Sequence, residues 1–219
     1  MLETKIVDRA TVGTSDFELA QHDGDWVVRV NSRILMSSRM HASEESLAEH
    51  GLELCQAPRA VLVGGLGLGF TLRAVLDRVA GDAVVTVAEL VPELVNWNRN
   101  QLAELNAHAL RDPRCKVVLG DVFQTIKASP AAFDVILLDV DNGPIALSHA
   151  ANQQLYSEQG LRTCHRSLRP AGVLAVWSSG PSPRFERRFA ATGFNVKVMH
   201  VPVRPGSRAR HVLFLGVRR

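Results

Sequence analysis

Cysteine is scarce in this 219-residue chain: Cys55, Cys115 and Cys164 stand far apart, with no C-x-x-C pair and no histidine at ligand spacing. That argues against a disulfide framework or a zinc site and favours a reducing, cytoplasmic setting. Long apolar runs are also missing. No window of about eighteen residues is apolar throughout, and Met1-Leu2-Glu3-Thr4-Lys5 lacks a charged-then-apolar leader pattern, so the sequence reads as soluble and unprocessed, with no membrane segment. Aromatic residues make up only 5% of the chain. The basic carboxyl-terminal stretch carries Phe185, Phe189, Phe194 and Phe214 at core-like positions, which leaves little for base stacking and weighs against a nucleic-acid partner. The histidines are scattered. Only His41 and His149 fall near the expected cleft, and neither has a nucleophile at recognisable spacing, so a serine or cysteine triad has no support.

The chain does have apolar bulk, 46% of its residues, enough for one substantial core with a small appendage. Its net charge of +3 is unevenly divided: residues 184–219 hold nine basic side chains and one acidic, whereas 1–183 carry −5. An arginine-rich solvated face and a surface for an acidic partner both account for that tail. Residues 4–8, 16–20 and 26–30 alternate as short strands, with Ile34-Leu35-Met36 as a further one, and read as a small antiparallel hairpin unit. Ser43 has the place of a helix N-cap, followed by Glu44 and Glu45 in the first turn, and Pro58 closes that helix. The expected division is therefore a β-hairpin unit at 1–40 and a larger domain at 41–219.

From residue 59 onward strands and helices alternate: strands at 60–63, 84–88, 116–119, 133–138 and 172–177, with helices at 68–80, 92–105, 122–128 and 151–168. The class is α/β, a Rossmann-like, doubly wound, mostly parallel sheet covered on both faces. Pro170-Ala171-Gly172 reads as the stop of the long fourth helix. A helix at 182–191 and strands at 194–201 and 211–217 then break the rhythm and predict an antiparallel hairpin at one sheet edge.

The chain is organised around Ala60 to Thr71, where a strand runs into Gly64, Gly65, Gly67 and Gly69 and then into a helical pattern. The dinucleotide fingerprint G-x-G-x-x-G, begun at Gly65, requires glycine where Phe70 stands. The spacing present is G-x-G-x-G, which suits a single nucleoside better than a pyrophosphate. A turn without a ligand needs fewer glycines, given their entropic cost. Glu89, at the end of the next strand, is placed to accept hydrogen bonds from a ribose diol.

In open α/β sheets ligands sit beyond the carboxyl ends of the strands, so the other strand ends are the informative positions. Asp121, followed by Val122, stands where a carboxylate either bonds an adenine amine or caps the next helix. Asp139 and Asp141 follow the most apolar strand and precede Gly143-Pro144. Carboxylates at such a mouth are costly unless they hold a cation or a proton in transit. Magnesium would require further oxygen ligands that the sequence does not supply, so no metal is expected. Asp134, at the strand start, reads as structural. Tyr156, the only tyrosine, divides between core and cleft, and Trp97 between packing and an adenine wall.

The ordered set of Val63 to Gly69, Glu89, Gly120-Asp121-Val122, Phe133 to Asp139, Gly143-Pro144, Tyr156 and Leu168 to Leu174 resembles the spermidine synthase-like aminopropyltransferases, within the wider class I S-adenosylmethionine-dependent methyltransferase fold. The resemblance covers roughly residues 26–217. It implies a seven-stranded sheet with an antiparallel last strand, a small β N-terminal unit, a homodimer, and transfer of an aminopropyl group from decarboxylated S-adenosylmethionine to an amine in polyamine biosynthesis. It assigns Glu89 to the ribose, Asp121 to the adenine and Asp139 to the amine acceptor; in aminopropyl transfer Asp141 or Glu44 would hold a distal ammonium. Three departures stand out. The aspartate of the family's G-G-G-D-G loop is replaced by Gly67, the acidic loop is about two residues shorter, and the family's Tyr-then-Glu motif appears as His41-Ala42-Ser43-Glu44-Glu45 without tyrosine. Methyl transfer from intact S-adenosylmethionine to a small molecule is the alternative, because a carboxylate-bearing donor would be repelled by an acid at position 67. A nucleoside- or RNA-binding role for Arg204, Arg208 and Arg210 is a third.

Overall fold

The computed structural model describes residues 4–140, 143–145, 154–204 and 206–219. Chain contacts divide it into two units, one ending at His41 and one beginning at Ala42.

The first unit is an antiparallel meander of β1 (Thr4–Val12), β2 (Ser15–His22), β3 (Asp25–Val30) and β4 (Arg33–Ser37), paired in that order. Each expected strand is present and longer than the alternation alone suggests. Two-residue turns at Asp23-Gly24 and Asn31-Ser32 have positive φ at both positions, the handedness that matches the twist of a hairpin. Glu18 on β2 pairs with Arg9 on β1 at 3.2 Å and with Arg29 on β3 at 3.1 Å.

Among the described residues the second unit contains seven strands: β5 (Ala60–Gly64), β6 (Val84–Glu89), β7 (Cys115–Leu119), β8 (Phe133–Leu138), β9 (Leu168–Ser178), β10 (Phe194–Pro202) and β11 (Arg210–Arg218). Their order is β10-β11-β9-β8-β5-β6-β7, with β11 antiparallel to both neighbours and the pairs from β9 to β7 parallel. The helices are α1 (Ala42–Glu53), α2 (Phe70–Leu76), α3 (Pro92–Arg99), α4 (Val122–Lys127), α5 (Glu158–Ser167) and α6 (Pro183–Ala190). Alternate residues of each strand enter opposite cores. Val61, Val63, Val135, Leu137 and Ala175 pack with Leu47 of α1 and Leu72 of α2, whereas Leu62, Ile136, Leu138 and Val176 pack with Phe123, Leu161 and Phe185. Apolar side chains on both faces are what a parallel sheet with two helical layers requires.

Five expectations change. The helix after the glycines starts at Phe70, because Leu66 to Gly69 form a turn closed by Gly69 N–H to the Leu66 carbonyl at 2.8 Å. The helix after Glu89 ends at Arg99, where Asn100 leaves helical geometry and turns carry the chain onward. Pro170 to Gly172 do not stop a helix: α5 ends at Ser167, and these residues form an irregularity within β9, with Ala171 at φ 59°. The expected helix at 151–168 is shorter: α5 begins at Glu158, capped by Ser157 Oγ accepting from the Gly160 N–H at 3.0 Å, and residues 151–153 lie outside the described residues. Finally, Ser43 lies inside α1, not at its cap, and its hydroxyl is engaged elsewhere.

Asp134 is structural, as its position at the strand start implies. Its Oδ2 accepts from the N–H groups of Arg59 and Ala60, both at 2.8 Å, and Oδ1 accepts from Arg169 at 2.9 Å. Burial opposes ionisation, yet these donors outweigh it and hold the carboxyl below its ordinary value. A depressed folded pKa contributes stability above the unfolded pKa that is lost as pH falls through the folded one. Asp134→Ala, followed by urea unfolding, is therefore expected to cost about 1–3 kcal/mol at pH 7. The gap from wild type should narrow below about pH 4.

Candidate active site

Strand order places β8 and β6 on opposite sides of β5, so the chain reverses direction between β5 and β8. A crevice opens at such a switch point beyond the strand ends. Here it is bounded by the glycine loop and Asp139. The Asp139 N–H donates to the Gly64 carbonyl at 2.8 Å, and the Gly65 N–H donates to the Ala88 carbonyl at 2.9 Å. Gly65 has φ +88°, and a Cβ there would overlap the Asp139 carbonyl, so only glycine fits. Val122 backs the loop, close enough to Gly64 that a Cβ there would lie 2.8 Å from its Cγ2.

Beneath the loop lies a buried amide network. Asn98 Nδ2 donates to the Gly67 carbonyl at 2.9 Å and to the Leu94 carbonyl at 2.8 Å, while its Oδ1 accepts from Asn106 Nδ2 at 2.7 Å. Asn106 Oδ1 in turn accepts from the Ala109 N–H at 3.1 Å. Gly69, at φ +90°, lies against both amides, where a Cβ would be 2.8 Å from each. Neither asparagine emerges from the sequence, because nothing local to them names the glycine loop as their partner.

Glu89 closes the next strand and is buried at 6% exposure. Its Oε2 accepts from the Leu66 N–H and its Oε1 from the Val91 N–H, both at 2.8 Å. Burial raises its pKa, and the surrounding backbone N–H groups oppose that rise. The N–H groups of Leu90 and Gly67 also bond this carboxyl, so four backbone donors converge on it. Leu90 directly follows and is 65% exposed; Leu119, at the end of β7, is 58% exposed. These apolar side chains flank two acids, a feature legible as an apolar residue beside each strand-end carboxylate but not singled out in the sequence reading.

Asp121 caps α4: its Oδ1 accepts from the Phe123 N–H at 2.8 Å. Of the two readings left open at this position, the cap is realised, and it occupies one oxygen only. Trp97 is packed in the interior at 1% exposure. Tyr156 lies in the second core cluster, edge-on to Phe185 with ring centroids 5.7 Å apart. Asp141 lies outside the described residues.

Asp139 and Glu44 are brought together electrostatically. Thr71 Oγ1 donates to Asp139 Oδ2 at 2.6 Å and lies 3.5 Å from the Glu44 carbonyl, linking α2, α1 and the end of β8. Thr71 is a further residue missed in sequence, since a threonine in a helix start carries no signal of its partner. Burial pushes the Asp139 carboxyl up to about 6, against the Thr71 hydrogen bond, which lowers it. Burial raises Glu44 well above the ordinary carboxylate range, and the negative charges of Asp139 and Glu45 add to the rise. Among the described residues no group of three or more His, Cys, Asp or Glu side chains is gathered to hold a metal ion.

Groups whose folded pKa is raised contribute stability that is complete below the unfolded pKa and is lost as pH rises through the folded one. Relative to wild type, Glu44→Gln is therefore expected to gain unfolding free energy as pH rises from about 4 to 7. Urea unfolding at several pH values measures this, and a constant difference would contradict the shared burial of Glu44 and Asp139.

With this geometry in place, comparison with known proteins is informative. Residues 40–188 match the spermine/spermidine synthase domain. Polyamine aminopropyltransferase 2 of Pseudomonas aeruginosa is 36% identical over 136 residues, covering 60% of this chain and 37% of the relative. Polyamine aminopropyltransferase 1 of Hyperthermus butylicus is 32% identical over 160 residues, covering 72% and 53%. The chain thus spans between about a third and about half the length of these curated relatives. Two solved structures, a spermidine synthase in complex with the transition state analogue AdoDATO and spermidine synthase from Thermotoga maritima, superpose with TM-score 0.80 at 18% identity, covering 98% of this chain and 73% of each of those. They share its fold, and the domain match assigns it: the chain belongs to the spermine/spermidine synthase domain family.

Proposed function

We propose that this protein transfers an aminopropyl group from decarboxylated S-adenosylmethionine to a primary amine. The observation that carries this reading is the Asp139 carboxyl at the switch-point crevice, half-buried, held by Thr71 and opposed by Glu44 in a chain of this family. The neutral amine attacks the methylene beside the sulfonium. A C–N bond forms, the C–S bond breaks, its electron pair returns to sulfur, and methylthioadenosine leaves. The proton of the new ammonium passes to ionised Asp139. Glu89 receives the ribose hydroxyls, the second Asp121 oxygen takes the adenine amine, and Leu90 and Val122 supply apolar contact. Bare backbone at Gly64, Gly65, Gly67 and Gly69 lets the donor lie close. Glu44, with Asp141, holds a distal ammonium of the acceptor. We further assign the small β unit, 1–40, and the Rossmann-like part, 41–219, as separate domains of a cytoplasmic homodimer. Among the described residues no helix is long and apolar enough to cross a membrane.

One observation favours a second reading, methyl transfer from intact S-adenosylmethionine: Gly67 presents no acid to the donor's amino-acid end. Thermal stabilisation separates the two, because a ligand stabilises in proportion to RT ln(1 + [L]/Kd). At equal concentration the decarboxylated donor is expected to raise Tm more than S-adenosylmethionine, and the reverse order would favour methyl transfer. With a working amine, Asp139→Asn is expected to lower kcat by about 10²- to 10⁴-fold, the range for loss of a general base. Full turnover by that variant would remove Asp139 from the chemistry.

A further inference from the structure

Beside the Asp139 loop lies a second polar group that the reading above leaves unused. Ser43, in the first turn of α1, is 1% exposed, and its Oγ accepts from Trp177 Nε1 at 3.0 Å and lies 2.9 Å from His211 Nδ1. The two rings meet edge to face, with centroids 4.6 Å apart. An indole N–H only donates, so Ser43 Oγ is the acceptor there, which leaves Oγ one lone pair and one proton toward His211 Nδ1. Giving the hydroxyl proton to Nδ1 satisfies Oγ within the trio and corresponds to a neutral ring with its proton on Nε2. Burial of His211 lowers its pKa, in keeping with that neutral form. This serine is no nucleophile, because its oxygen is buried and engaged on both sides.

The chain joins three elements at the carboxyl edge of the sheet. Trp177 lies near the end of β9, His211 near the start of antiparallel β11, and Val212 pairs with Ser178, which brings those ends together. Ser43 belongs to α1, and the next residue is Glu44. Trp177 also abuts the acidic loop, since a Cβ on Gly143 would overlap the Trp177 carbonyl. A hydroxyl shared by two ring nitrogens from different strands fixes both the depth and the rotation of the first turn of α1.

We propose that Trp177, Ser43 and His211 form a positioning chain that holds Glu44 opposite Asp139 for the amine acceptor. The acceptor's identity rests on the aminopropyl reading; the placement of Glu44 does not, so the test has two arms. In the first, NMR of the full chain follows the His211 ring nitrogens and the Glu44 carboxyl. Wild type is expected to show the Nε2–H tautomer, and Ser43→Ala to release it and to move the Glu44 titration toward its ordinary value. An Nδ1–H tautomer in wild type, or a Glu44 titration unmoved by Ser43→Ala, would overturn the proposal even if transfer is observed.

In the second arm, Ser43→Ala and His211→Phe are expected to raise KM for the amine by about tenfold, with the donor Kd within about twofold of wild type. His211→Asn, whose amide oxygen replaces Nδ1 as acceptor, should recover most of that loss. Donor and amine affinities falling together, without recovery in His211→Asn, would mean a general structural role and refute the chain. A wild-type protein with no transfer activity would instead refute the aminopropyl reading and leave the NMR arm to decide the placement of Glu44.

Discussion

The hydrogen bond from the Asp139 N–H to the Gly64 carbonyl is the constraint on which the site depends. It continues the β5–β8 ladder one step past the strands, at the point where the sheet changes direction, and so sets a carboxylate beside a glycine loop. Gly65 must then lie against the Asp139 carbonyl at positive φ, which no side chain permits. The glycine spacing and the acid at 139 are thus two consequences of one backbone contact between strands that are 75 residues or so apart in sequence, the separation that the pairing of Val61 with Val135 also shows.

The cost of that arrangement is electrostatic. Three carboxyls, Glu44, Glu89 and Asp139, are raised by burial. Glu89 recovers part of this through backbone donors, and Asp139 through Thr71. Glu44 has its carboxyl among like charges, a strained condition tolerable when a cation or proton arrives. Under the proposed aminopropyl transfer, negative charge held out of water would meet an amine beside a sulfonium; Thr71 supports it on one side and the Asn98–Asn106 pair lies under the loop.

Much of the fold is legible in the sequence because β5, β6, β8 and β9 are apolar runs too short for helices and separated by helical patterns. The order of glycine, Glu89, Asp121 and Asp139 on successive strand ends is readable for the same reason. What the sequence does not disclose depends on partners far along the chain. Ser43 before two glutamates has the local look of a cap, but Trp177 and His211 claim its hydroxyl. Asn98, Asn106 and Thr71 are ordinary polar residues until the glycine loop and Asp139 are placed against them. Pro170-Ala171-Gly172 looks like punctuation, yet Ala171 takes positive φ and the strand continues through it. Helix ends at 76 and 99 fall short of the periodic pattern, since turn and asparagine geometry stop them first.

The central claim concerns which carbon beside the sulfonium is attacked, and the nucleoside product reports it. Incubating the protein with either donor and a primary amine, then identifying the released nucleoside by mass spectrometry, is the most direct measurement. The account predicts methylthioadenosine, formed from the decarboxylated donor only when the amine is present. S-adenosylhomocysteine formed from intact S-adenosylmethionine, with no methylthioadenosine from the decarboxylated donor, would contradict it.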